Sequence, residues 1–307
     1  MVVLNTIVNV DKAKGISSFG VVRELKKIFN IKKIGHLGTL DPIASGVLPV
    51  FVGKATKLIP LFNELDKEYR TVFKLGQRTD TFDAEGSFTG ESSIGHLEPG
   101  EIESTVARYV GTQTQLTPIF SAVKLNGVPA YRLARQGKPV ERKEKSIRID
   151  SIVIESVQLP LVTMRVRCSK GTYIRSLVDD IGQDLHVGAH MVELERIAVG
   201  PHFSMKNAFR LEEIARLIQE CSDFSCCINP VHVLSELPTV SVTEGEQLQL
   251  QNGRSVALRG DQFHCHHPVP KKNRLIKAVD SQKKLIAIGH IEVRSHDFQF
   301  NPSKIFV

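Results

Sequence analysis

The sequence predicts an α+β fold: a mixed, mostly antiparallel sheet with flanking helices, followed by a small β-barrel-like module. Two observations predict it. Period-two alternation and helical apolar stripes interleave over residues 1–236 without the regular beat of a parallel sheet. Beyond Leu237 and Pro238 the texture turns to short strand-like runs with turn signals at Gly245, Gly253, Gly260, Pro268 and Gly289. No strong helical stripe follows, so the boundary falls near 236 and divides the chain into 1–236 and 237–307.

The elements follow in order. The segment from Val2 to Val10 is apolar but broken by Asn5 and Asn9, and it lacks a basic stretch and a small-residue cleavage site. It therefore reads as a first strand. Val21, Val22, Leu25, Ile28 and Phe29 share one face of a helix, with Ser17 or Ser18 as its N-cap. Gly35, Gly38 and Gly46 make the intervening stretch a loop, and Val47 to Val52 reads as a short buried strand. Tyr69, Thr71, Phe73 and Leu75 fall on one face of the next strand, and alternation recurs at Ile147 to Ile154 and Leu161 to Cys168. Ile174, Leu177, Val178, Ile181 and Leu185 form the stripe of a helix beginning near Thr172. The stretch from Leu211 to Glu220 is the last long periodic element.

Of the 307 residues, 41% are hydrophobic and 24% charged, which excludes a disordered or fibrous chain. The longest apolar run, Gly46 to Gly53, is far shorter than the roughly 18–20 residues of a membrane span. The expectation is a cytoplasmic protein with no membrane partner. Five cysteines, odd in number and without a CxxC pair, fit a reducing compartment. The Cys/His run at 263–267 has no second ligand pair, so it reads as a polar loop and no metal is expected. The net charge of +7 is segregated: Lys12 to Lys33 carries +6, Arg132 to Arg148 +5 and Arg254 to Lys284 +6. A phosphate-tracking surface and solvated helix faces explain that segregation equally well.

Neither a dinucleotide fingerprint nor a P-loop occurs, and hydrolase motifs are absent. What remains is Asp41 among the glycines, close in sequence to Lys32, Lys33, Lys54 and Lys57. An Asp before a Pro is by itself a turn former. Glycines, however, let the backbone approach a large ligand, and the lysines attract phosphates.

The run from Gly35 to Pro49, GHLGTLDPIASGVLP, resembles the catalytic motif of the TruB-type tRNA pseudouridine synthases, which isomerise uridine 55 of the TΨC loop. The resemblance continues in order through Gly53 to Lys57, Lys67 to Arg70, Thr79 to Gly86, Ser121 to Lys124, Tyr131 to Arg135 and Cys168 to Arg175. The stretches Leu285 to Gly289 and Pro302 to Lys304 are similar to the closing strands of the PUA domain of bacterial members. Glu195 stands where the family usually has a basic residue.

The resemblance implies a pseudouridine-synthase fold with a PUA-like RNA-binding domain. It also implies a monomer that needs no protein partner and grips tRNA at the T-arm and acceptor stem. Isomerisation breaks the C1′–N1 bond and joins C1′ to C5 with no atom gained or lost, so no cofactor is expected. Asp41 is the implied catalytic carboxylate, attacking C1′ or C6 or promoting a glycal. Each route needs it ionised in a pocket that excludes water, with a cation to offset desolvation. Arg175 is the implied partner, although spacing alone favours an i,i+4 pair with Asp179. Tyr69 offers a ring to the uracil and a phenolic oxygen for a late proton. Leu194 is implied as an apolar wall, Lys57 as a neighbour of Asp41 or of a phosphate, His36 as the group beside the vacated base stack, and Arg132 as an RNA contact. A tRNA-folding role carried by the basic surface, and action on a different RNA, are the alternatives.

Overall fold

The computed structural model describes residues 5–120, 124–125, 127–264, 274–293 and 298–307. Ser121 to Val123 of one quoted motif, Cys265 to His267 of the Cys/His run, and Lys271 and Lys272 of the last basic window lie outside them.

The first strand, Thr6–Lys12, lies between Cys227–Ile228 and Ser45–Val52 in a ten-stranded sheet. The path continues through Ala189–Val199, Lys67–Leu75, Leu161–Cys168, Glu144–Gln158 and Gly111–Leu116. One central junction is parallel, where Glu195 faces Ser45 and Arg196 faces Gly46. The other pairings of this sheet are antiparallel, as the mixed pattern predicts. On the Lys67–Leu75 strand, Thr71, Phe73 and Leu75 are buried and Tyr69 is half-buried on the same face, so the period-two reading holds.

Helix Ser18–Phe29 begins at Ser17, whose side chain accepts from Gly20 N at 3.0 Å, and ends at Asn30 in the left-handed region. Ser18 is buried instead: its Oγ accepts from Leu40 N at 2.8 Å and donates to Leu40 O at 3.0 Å. Helix Ile174–Asp184 begins two residues later than the stripe suggests, with Arg175 buried in its first turn. Both helices pack on one core with Val8, Val50, Phe73, Met164 and Met191 of the sheet.

A second sheet runs in the order Val256–Leu258, Phe298–Ile305, Leu285–Val293, Leu275–Val279, Thr239–Ser241, Phe263–His264. It includes one parallel pair and curls around Val240, Ile276, Ile286 and Phe300. The sequence missed a helix here, Glu244–Gln251. It is fixed by a capping box between Thr243 and Glu246 rather than by an apolar stripe, and of its residues only Leu250 is buried.

The two sheets share an interior. The rings of Phe51, Phe62 and Phe203 meet tilted or edge-on and pack in one cluster with Leu285, Ile288 and Phe306 from the C-terminal part. Among the described residues no helix is long and apolar enough to cross a membrane.

Candidate active site

The Asp41 loop leaves the Ile34–His36 strand and re-enters the sheet at Ser45, and hydrogen bonds tie it down along its length. Leu37 N donates to Pro49 O at 2.9 Å, Gly15 N to Pro42 O at 2.8 Å, and Ala44 N to Asp41 O at 3.1 Å. With Ser18 holding both polar groups of Leu40, the residue before the carboxylate is fixed from below. Two glycines are required. Gly46 has φ +97°, and a Cβ there would collide with the Arg196 carbonyl across the parallel junction. Gly38 has φ +72°, and a Cβ would lie 3.2 Å from Arg196 Nη1.

Asp41 Oδ2 lies 2.9 Å from Arg175 Nη2. The other side of that guanidinium is occupied too: Nη1 reaches Asp83 Oδ2 at 3.1 Å and Thr81 O at 3.3 Å, and Nη2 also donates to Phe120 O at 2.9 Å. Asp83 is itself buried and accepts from Thr81 Oγ1 at 2.7 Å and from Glu85 N at 3.1 Å. Asp179 takes no part in this cluster. It pairs with Arg78 at 3.1 Å, so the i,i+4 pair that spacing permits is not formed.

Asp41, Tyr69, Arg175 and Leu194 line one cavity of about 480 Å³, together with Gly38, Tyr173, Ile174 and Arg196. That volume falls within the roughly 300–1,000 Å³ of small-molecule sites. Lys67, Lys145 and Lys170 also line it, Lys67 buried with its ammonium on Asn63 O and Leu65 O and Lys170 paired with Glu64. Burial lowers the pKa of Lys67 and Lys145, and the neighbouring charge of Lys170 lowers Lys145 further. Burial raises the Tyr69 hydroxyl above the usual phenol range, so it carries its proton at neutral pH.

The expectation of a pocket that excludes water needs correction for the free chain. The Asp41 side chain is 42% exposed, against 7% for Arg175, because the carboxylate stands on an open loop while its partner is sunk beneath it. The Lys57 ammonium donates to Ile305 O at 2.8 Å and so holds the last strand of the second sheet. It does not line the cavity. His36 lies half-buried at the entry to the loop, where burial and the charge of Arg196 push its imidazole pKa down. Arg132 is exposed on the short helix Ala130–Arg135, outside the cavity.

Two basic residues counted as surface charge are interior. Lys12 donates to Ala13 O and Ile16 O, and Lys277 donates to Leu234 O at 2.7 Å. Sequence reasoning also gave no role to Asp83 or Arg196. The paired acids of Thr79 to Asp83 were a signal for the first. Arg196, inside a strand of mixed polarity, offered none.

Residues 26–174 match the N-terminal domain of TruB family pseudouridylate synthases, and residues 175–234 match the tRNA pseudouridylate synthase B C-terminal domain. The chain belongs to the TruB family. A tRNA pseudouridine synthase B from Geotalea uraniireducens is 45% identical over 81% of this chain and 80% of its own length. The namesake from Geobacter sulfurreducens is 42% identical over 76% and 77%. Among solved structures, a chain of a Cbf5–Nop10–Gar1 complex is similar with TM-score 0.72 and 26% identity, covering 98% of this chain and 85% of that one. A chain of an H/ACA RNP bound to a substrate RNA containing 2′-deoxyuridine is similar with TM-score 0.71 and 25% identity, over 98% and 85%. These likenesses extend over both sheets, and the curled C-terminal sheet is compatible with the PUA-like domain that the sequence suggests.

Proposed function

We propose that this TruB-family chain is a tRNA pseudouridine synthase acting on uridine 55 of the T-arm, with Asp41 as the catalytic carboxylate. The observation that carries the reading is the Asp41–Arg175 pair at 2.9 Å, in one cavity with Tyr69 and Leu194. The same guanidinium is anchored by Asp83 from behind, so its position does not depend on Asp41. A carboxylate held ready beside a fixed cation suits attack at C1′, attack at C6 or glycal formation, all of which start from the ionised acid.

The nucleoside itself completes the enclosure. A uridine in a folded loop must be flipped out of its stack at a cost of a few kcal/mol, recovered in contacts with the extruded base. The ring of Tyr69 and the side chain of Leu194 supply the apolar contacts, and the uracil displaces water from an Asp41 that is otherwise open to solvent. His36, beside the loop, is assigned to the space the base leaves.

Residues 1–236 carry the chemistry in this reading, and residues 237–307 form a PUA-like module that grips the acceptor stem. Arg132 and the exposed basic residues of 132–148 meet the T-arm. The enzyme acts as a monomer in the cytoplasm with no obligatory protein partner. Incubation of purified protein with an unmodified tRNA transcript should place pseudouridine at position 55. A transcript left unchanged there, under conditions where an established synthase works, would refute the reading.

A further inference from the structure

Five cations line the cavity, and three of them are committed to the interior. Lys67 rests on two backbone carbonyls, Arg175 lies between Asp41 and Asp83, and the buried Arg196 donates to Val47 O and Gly38 O. Lys145 and Lys170 are held more lightly. The Lys145 ammonium donates to Lys170 O at 3.4 Å, and Lys170 pairs with Glu64, whose side chain is 72% exposed. Among the described residues Lys170 meets no other acid within ion-pair distance. The backbone brings the two lysines together. Thr172 Oγ1 donates to Ser169 O at 3.0 Å, Ser169 N to Arg148 O at 2.8 Å and Arg148 N to Ser169 Oγ at 2.9 Å, so the turn that displays Lys170 is pinned to the strand that carries Lys145. A Cβ at Gly171 would overlap the Lys145 ammonium, so the missing side chain is the space in which that charge lies.

We propose that Lys145 and Lys170 form a phosphodiester site at the edge of the uridine cavity, which Glu64 fills in the free chain and gives up to the RNA backbone. The proposal rests on the uridine-isomerising reading given above. A nucleotide flipped toward Asp41 and Tyr69 brings its phosphates with it, and these cannot follow the uracil onto apolar contacts. They need cations that leave their present partner at small cost. An exposed ion pair between flexible side chains is worth little, so Glu64 can swing into water while the incoming phosphate keeps Lys170 neutralised. The two non-bridging oxygens of one phosphodiester accept from two ammoniums, and lysine, a point charge on a flexible stem, follows the phosphate as the RNA docks. Burial and then the charge of Lys170 lower the Lys145 pKa, and an anion shared by the two ammoniums relieves their repulsion. Glu64 is then an internal competitor. Removing its charge strengthens RNA binding through Lys170, which a purely structural ion pair would not do.

The test measures the dissociation constant of a T-arm hairpin over a range of salt for wild type, Glu64→Gln, Lys145→Gln, Lys170→Gln and the Glu64→Gln, Lys170→Gln double. Asp66→Asn is the control, since Asp66 pairs in the same loop with Arg148, which does not line the cavity. Glu64→Gln should tighten binding about threefold, Lys145→Gln should weaken it about threefold, and Lys170→Gln should weaken it about fivefold or more and lower the salt slope by about one. With Lys170 replaced, the Glu64 change should move affinity by less than about 1.5-fold, and Asp66→Asn alone should move it no further. A Glu64→Gln variant that binds no tighter than wild type, that tightens binding equally without Lys170, or that Asp66→Asn matches, overturns the proposal. Uncharged methylphosphonate linkages on either side of the target uridine supply a second arm. One of the two should weaken binding to wild type and have no effect on the Lys145→Gln, Lys170→Gln double; a loss that persists in the double overturns the proposal. A wild type that shows this binding pattern but leaves the uridine unchanged overturns the uridine reading, whereas an active wild type with no gain from Glu64→Gln overturns the phosphodiester site alone.

Discussion

Arg175 sits between two aspartates of unequal burial: Asp41 at 2.9 Å on the solvent side and Asp83 at 3.1 Å in the interior. On the proposed function the inner pair anchors the guanidinium and the outer pair is the working contact. The two acids should therefore respond differently to substitution.

Asp41→Asn should lower the single-turnover rate by at least about 10³-fold while leaving stability within about 1 kcal/mol, because the lost ion pair is partly exposed. Pseudouridine mapping and urea unfolding read the two effects. A variant with more than a tenth of the wild-type rate would contradict the assignment.

Arg175→Met should cost about 3 kcal/mol of stability as well as activity, because it strands Asp83 without its cation in the interior. Adding Asp83→Asn should return part of the stability and none of the activity. Parallel denaturation curves for the single and double variants would rule out the inner pair as the cause.

Lys57→Met should spare catalysis on a T-arm hairpin, within about twofold, and lower stability by about 1 kcal/mol through loss of the bond to Ile305 O. A large rate loss on the hairpin, with stability unchanged, would return Lys57 to the site that the resemblance implied.

Lys12 should make stability depend on alkaline pH. Its pKa is lowered from 10.5 to about 8, chiefly by burial and against the charge of Asp41. Between those values the unfolded chain binds the proton and the folded chain does not, so this group's contribution to stability rises with pH. The penalty is fully present below about pH 8. Relative to Lys12→Met, the wild type should gain roughly 3 kcal/mol between about pH 8 and pH 10.5 in urea melts. Stability curves that stay parallel across that window would disprove it.

Much of the architecture was legible in the sequence because its signals are local. The alternation of Tyr69 to Leu75, the stripe from Ile174 onward and the glycines around Asp41 each follow from a period or a φ angle. The pairing of Asp41 with Arg175 was reached through the family resemblance, since spacing alone pointed to Asp179. What stayed hidden depends on contacts far apart in the chain. Lys57 looks like a surface lysine until Ile305 is brought against it. Arg196 looks like an ordinary strand residue until the parallel junction at Gly46 buries it. Helix Glu244–Gln251 escaped because its capping box, rather than a hydrophobic stripe, defines it.

The aromatic cluster of Phe51, Phe62 and Phe203 shares one buried interior with Phe306 from the C-terminal part, so packed side chains set the spacing of the two sheets. A gap set by a packed interior, unlike one set by a tether, keeps its width when salt or temperature changes. The molecule is in that sense a gauge. On the proposed function, an RNA that touches both sheets at once has to present its target base and its distant stem at a matching separation.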